Sequence, residues 1–121
     1  MIDHIRGYKL YIIVLNIILV SIMILVFFEF VVLKNKEKDY FKEVEKLQME
    51  LKKTKGFISV DRFIHNSKTN CYASISTWKD EEAVKSWKKN SKHIKSQNLG
   101  KKEIFKSYRI RVTDVIRDYK N

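Results

Sequence analysis

A chain of 121 residues, 45% of them hydrophobic, has apolar material for one compact domain and no more. Its single cysteine, Cys71, excludes a disulfide framework within the chain and a cysteine-based metal site, and fits a reducing, cytoplasmic compartment. A formal charge of +11, carried mostly by lysine, admits an anionic partner such as nucleic acid or a membrane surface, and equally a plain lysine-rich exterior.

From Leu10 to Phe28 there is no charged residue, and a run of about 19 apolar residues is what a spanning helix needs. Its second half, continuing from Ile24 to Leu33, is dense in β-branched and aromatic residues and carries Glu29, which reads as a strand buried on both faces. If that strand forms, about 14 apolar residues remain before it, too few to cross a bilayer unaided. Residues 1–22 are therefore expected to be an extension outside a domain of residues 23–121. Two readings stay open for it. Either it is dispensable, with the true start at Met23, or residues 8–28 contact a membrane, with Arg6, Lys9 and Lys34 holding the domain on the cytoplasmic side.

After Lys34 the period changes. Phe41, Val44, Leu47 and Leu51 recur at helical spacing among Lys and Glu, predicting an amphipathic helix from about Lys38 to Lys53, ended by Gly56. Phe57 to His65 alternates, with Ile58, Val60, Arg62 and Ile64 on one side and Phe57, Ser59, Asp61 and Phe63 on the other, as in a strand. Residues Asn66 to Asn70 are turn material, and a third strand, Cys71 to Trp78, completes a hairpin.

The stretch from Ser76 to Gly100 holds both tryptophans. Asp80 is placed as an N-cap, with Glu81 and Glu82 in the first turn of the helix it opens. Ala83, Val84, Trp87 and Ile94 fit one apolar stripe. On one continuous helix, however, His93 would point about 240° away from Trp87. Asn90-Ser91, a stop followed by a cap, predicts a break instead, with a short second helix carrying His93 to Gln97 and ending at Leu99-Gly100. The last element, Ile104 to Tyr119, reads as a long strand with Tyr108, Ile110 and Val112 opposite Arg109, Arg111 and Thr113. The order β-α-β-β-α-β is the α+β, ferredoxin-like split βαβ arrangement: a four-stranded antiparallel sheet with helices on one face. Strands apolar on both faces imply that the second face is also covered, as in a homodimer with sheets apposed.

Several blocks carry a family resemblance: F-E-F at Phe28–Phe30, G-F-I-S-V-D-R-F from Gly56, S-T-W-K-D-E-E-A-V-K-S-W from Ser76 followed by H-x-x-x-Q at His93, and Y-R-I-R-V-T-D-V-I-R-D-Y from Tyr108. From Met23 to Tyr119 the chain resembles the antibiotic biosynthesis monooxygenases, which are dimeric ferredoxin-like barrels. The resemblance implies oxidation of a small aromatic or quinol-type substrate by O₂ without a metal or flavin bound by the protein. It further implies that Trp78 and Trp87 line the pocket, that His93 and Asp61 are candidates for proton transfer, and that Arg62 and Arg109 are candidates for holding substrate. The haem-degrading branch of the same resemblance uses an Asn in the first strand and a His about ten residues past the second tryptophan. Phe28, Glu29 and Gln97 stand at those places here, which ranks haem as cofactor below a cofactor-independent reaction.

A reading outside enzymology rests on the lysines between Lys85 and Lys102, which could hold anionic lipid or nucleic acid. With no interleaved exposed aromatics and no recognition-helix pattern, that face predicts weak, salt-sensitive contact and no sequence-specific nucleic-acid readout.

Overall fold

The computed structural model describes residues 23–121. Ile24–Val32 forms strand β1, so the apolar run is divided and its second half belongs to a sheet. β1 is hydrogen-bonded on one side to β3 (Cys71–Trp78) and on the other to β4 (Phe105–Asp114), with β2 (Phe57–Ile64) beyond β3. All three pairings are antiparallel, in the order β2-β3-β1-β4. A central strand has its backbone groups paired on both edges, and its β-branched and aromatic side chains suit that position. No helix among the described residues is long and apolar enough to cross a membrane. The expectations for residues 1–22 lie outside the described residues.

Three helices cover one face: α1 (Glu37–Lys53), α2 (Glu81–Lys89) and α3 (Ser91–Leu99), the last running into a π-helical turn at Gly100–Ile104. The expected β-α-β-β-α-β plan is thus present with its second helix broken in two. Asp80 caps α2 by accepting from the Ala83 N–H at 2.9 Å. At the break, Asn90 rather than Ser91 is the cap of α3: its Oδ1 accepts from the N–H groups of Lys92 and His93.

The helix-facing side of the sheet carries Ile24, Phe30 and Val32 from β1, and two core clusters form upon it. Ile24, Leu51, Trp78, Ala83 and Val84 make one; Phe30, Val32, Tyr40 and Ile104 make the other. The second is aromatic, with Phe30 centred 4.7 Å from Tyr40 and 4.9 Å from Phe105. Burying a ring of that size contributes about 1.5–3 kcal/mol, so these few residues set much of the fold's stability.

Several details differ from the sequence pattern. The stripe of α1 starts at Tyr40, which is buried, while Phe41 is half-exposed. A register shift between Phe57 and Ser59 puts Phe57 opposite Trp78 and packs it on the first core, so the side expected to hold Phe57 changes at the bulge and Ile58 is exposed. Ile94 is also exposed and does not extend the stripe of α2. α3 ends at Leu99 with Gly100 as its C-cap, as expected, but the Gly100 backbone is right-handed helical and the chain continues through the π turn. The lack of a side chain at Gly100 serves packing, because a Cβ there would meet the Phe105 ring at 2.6 Å. Gly56 does stand in the left-handed region, at φ 88°, with a Cβ position only 2.6 Å from Ala83. Finally, β4 stops at Asp114 and not Tyr119. Val115 N–H reaches the Met23 carbonyl, and β1, its partner strand, begins at Ile24.

Candidate functional site

Between the two cores the sheet is lined by small polar side chains. On β3 the helix-facing positions run Tyr72, Ser74, Ser76, Trp78, and the two serines lie opposite Phe28 and Val26 of β1. A serine at a central, inward position leaves volume that no neighbour fills. The result is a cavity of about 230 Å³, floored by Ser74, Ser76 and Phe28 and roofed by Val44 and Leu47 of α1 and by residues of α3. Its wall is mainly apolar, with polar groups at a few points, as in many small-molecule sites.

The tryptophans and the histidine meet at one end. Trp78 is buried and donates its indole N–H to Ser76 Oγ at 2.8 Å. Trp87 lies 6.4 Å from it, and the imidazole of His93 stacks on Trp87 at 4.6 Å with 27° between planes. The break at Asn90 makes this stacking geometrically accessible, since an unbroken helix would turn the two rings apart. His93 lines the cavity, and its Nδ1 is buried without a hydrogen-bond partner among the described residues. Burial lowers the His93 pKa from its ordinary 6.5, offset in part by the Trp87 backbone. The ring is therefore neutral at pH 7 and able to accept a proton.

Arg62 reaches the cavity from β2, across from Ser74, and stands beside the Tyr40 hydroxyl. Burial raises the Tyr40 pKa, and the Arg62 guanidinium pulls it partly back. Glu43 also lines the cavity but is engaged, accepting from Ser96 at 2.6 Å and pairing with Lys46 at 3.2 Å. The Ser96 hydrogen bond is the main reason its carboxyl titrates low. A further link, Lys92 to Glu50 at 3.1 Å, holds α3 along α1.

Of the residues singled out from sequence, Trp78, Trp87, His93 and Arg62 line this cavity. Asp61 and Arg109 do not: each sits one residue out of phase with a cavity-lining neighbour and so projects from the opposite side of the sheet. That open side carries the Arg111–Glu29 ion pair, 3.2 Å long. Gln97 and Phe28, standing where a haem degrader would have His and Asn, both line the cavity, while Glu29 faces away from it. Among the described residues no group of His, Cys, Asp and Glu is arranged to hold a metal ion. The lysines from Lys85 onward are not one free surface. Lys92 is paired with Glu50, and Lys88 and Lys101 line the cavity. Tyr40, Ser74 and Ser76 escaped the sequence reading. The alternation Tyr72-x-Ser74-x-Ser76-x-Trp78, small polar residues where a core strand should be bulky, was the available signal.

A four-stranded ferredoxin-like sheet with a cavity under its helices defines an α+β small-molecule-binding class. The antibiotic biosynthesis monooxygenase model matches residues 23–98, and the chain belongs to that family. Its members are commonly dimeric and act on small molecules. No curated protein matches the chain. Among solved structures it is similar to SnoaB, a cofactor-independent oxygenase from Streptomyces nogalater, at 11% identity over 81% of this chain and 97% of that one, TM-score 0.70. It is also similar to a protein from Methanosarcina mazei Go1, at 17% identity over 78% and 94%, TM-score 0.70. A third is a protein from Shewanella oneidensis, at 10% identity over 78% and 92%, TM-score 0.71. At these identities the likeness is one of fold.

Proposed function

We propose that this chain is a monooxygenase that oxidises a small, electron-rich hydroxyarene with O₂, without a protein-bound metal or flavin. The observation that carries the reading is His93: a neutral imidazole with an unsatisfied Nδ1, at the wall of an apolar cavity and stacked on Trp87. A buried polar atom without a partner is unusual in a folded protein, and a substrate hydroxyl would supply one. His93 takes that proton, and the resulting anion gives an electron to O₂. For a ring carbon bearing two hydrogens, as in an anthrone, recombination puts one oxygen atom on the carbon and releases the other as water. The carbon loses both hydrogens and four electrons, which are the four that O₂ accepts. Trp78 and Trp87 pack against the aromatic plane, while the apolar wall keeps bulk water from the anion.

Membership of a commonly dimeric family, together with exposed Phe63 on the open sheet face, supports a homodimer formed through that face. Oxygen consumption with anthrones and hydroquinones, followed by electrode, tests the activity. Uptake that depends on His93 supports it, and uptake no faster than in buffer across the panel rejects it.

A further inference from the structure

The charge inventory of the cavity is lopsided. Arg62, Lys88 and Lys101 line it, against the single carboxylate of Glu43. Glu43 is already committed to Ser96 and Lys46. Among the described residues Arg62 has no carboxylate within salt-bridge distance, although it can offer two parallel N–H groups to one. Lys101 is turned over the Tyr108 ring, 5.9 Å from its centre. Around the guanidinium stand the Tyr40 hydroxyl and, directly across the β2–β3 ladder, Ser74. Both hydroxyls can donate to an anion, and neither is hydrogen-bonded to a carboxylate.

The position of this group relative to His93 follows from how α3 lies on α1. Lys92 meets Glu50 and Ser96 meets Glu43, so His93 is level with about Gln48. Tyr40 is two helical turns earlier, roughly 12 Å along the axis at 1.5 Å per residue. The cavity therefore has an imidazole at one end, a guanidinium with two hydroxyls at the other, and apolar wall between. Arg62 is exposed as a residue while lining the cavity, which places it at the rim.

We infer that Arg62, with Tyr40 and Ser74, is a carboxylate-binding subsite, and that the substrate is an aromatic hydroxy acid: its hydroxyl meets His93 and its carboxylate meets Arg62. The inference rests on the reading of the cavity as a hydroxyarene site and adds the anionic end. A bidentate guanidinium–carboxylate contact strengthened by two hydroxyl donors also fixes which end of the molecule reaches the base. Arg62 is thus a specificity-determining residue and His93 the proton acceptor.

The test is calorimetric binding to the full chain, with 4-hydroxycinnamate and its methyl ester as probes. These share the ring, the hydroxyl and the spacing from hydroxyl to carbonyl carbon, and differ in the charge and in one methyl group at that end. The native chain should bind the acid at least tenfold more tightly than the ester. In Arg62→Gln that preference should vanish with ester affinity unchanged, and Arg62→Lys should restore part of it; circular dichroism checks that each variant is folded. Equal affinity for acid and ester, no binding of either, or a preference that survives Arg62→Gln overturns the subsite. The oxygenase reading stands or falls separately, on oxygen uptake. Acid preference with no uptake from any hydroxyarene keeps the subsite and rejects the reaction, and uptake from neutral anthrones with no acid preference does the reverse.

Discussion

His93 illustrates how one side chain ties packing to chemistry. Burial holds its pKa below 6.5, so the neutral form that can accept a proton dominates above that pH. Turnover should accordingly be level from pH 7 to 8 and decline only on the acid side of 6.5. His93→Ala should reduce turnover about a hundredfold, the usual contribution of a general base. A variant that keeps the native rate and pH profile would return His93 to a purely structural role. The same depressed pKa has a stability consequence. Unfolded, the imidazole takes up its proton near 6.5; folded, it does so at lower pH. Within that window the unfolded chain binds more protons, so His93's contribution is fully present above 6.5 and is lost as pH falls. Melting temperatures measured from pH 7 to 5 should fall less steeply in His93→Phe than in the native chain.

At the scale of elements, the break between α2 and α3 and the π turn after α3 are what bring the cavity wall together. Asn90 makes the break by capping α3 through two N–H groups. Asn90→Ala should cost about 1 kcal/mol and loosen the Trp87–His93 stack. Tryptophan fluorescence of the native chain should shift with pH as His93 titrates beside the ring, and Asn90→Ala should lose that dependence. Gly100 acts at the other end, where the Phe105 ring lies on its backbone. Gly100→Ala would gain some helix propensity, yet the ring must move out of the Phe30 cluster, an overpacking cost of about 1–3 kcal/mol. Net destabilisation in chemical denaturation is the expected result. In a Phe105→Leu background the same change should be neutral or stabilising, since the clash is gone while the propensity gain remains.

For the whole molecule the proposed homodimer rests on the open sheet face. Phe27 of β1 and Ile75 of β3 are cross-strand partners on that face, and the Glu29–Arg111 pair lies on the same side. Apposed sheets would bury these residues in a packed layer. Sedimentation equilibrium at micromolar concentration should give twice the chain mass. Ile75→Lys, which places a charge on the face while leaving the helix side untouched, should give the monomer with native secondary structure. A native chain that sediments as a monomer would contradict the dimer.

Much of the plan was legible in the chain because local physics writes it there. The strand at Phe57–Ile64, alternating from Ser59 onward, the Asp80 cap and the dense apolar run of Ile24–Val32 each depend on neighbours a few residues away, and each appears where the pattern places it. The His93–Trp87 relation was partly visible too, since Asn90-Ser91 marked the break that their convergence needs. The side of the sheet reached by Asp61 and Arg109 was set by register and a bulge, which are properties of paired strands. Tyr40 rather than Phe41 entered the core because Phe30, Tyr72 and Phe105 surround that position, and those rings come from three separate strands. The end of β4 at Asp114 was likewise decided by where β1 begins. The sequence by itself determined the elements and their order, because these follow from periodicity and caps. Only the tertiary structure decided which side chains share the cavity, because a cavity is the volume left where distant segments fail to fill one another.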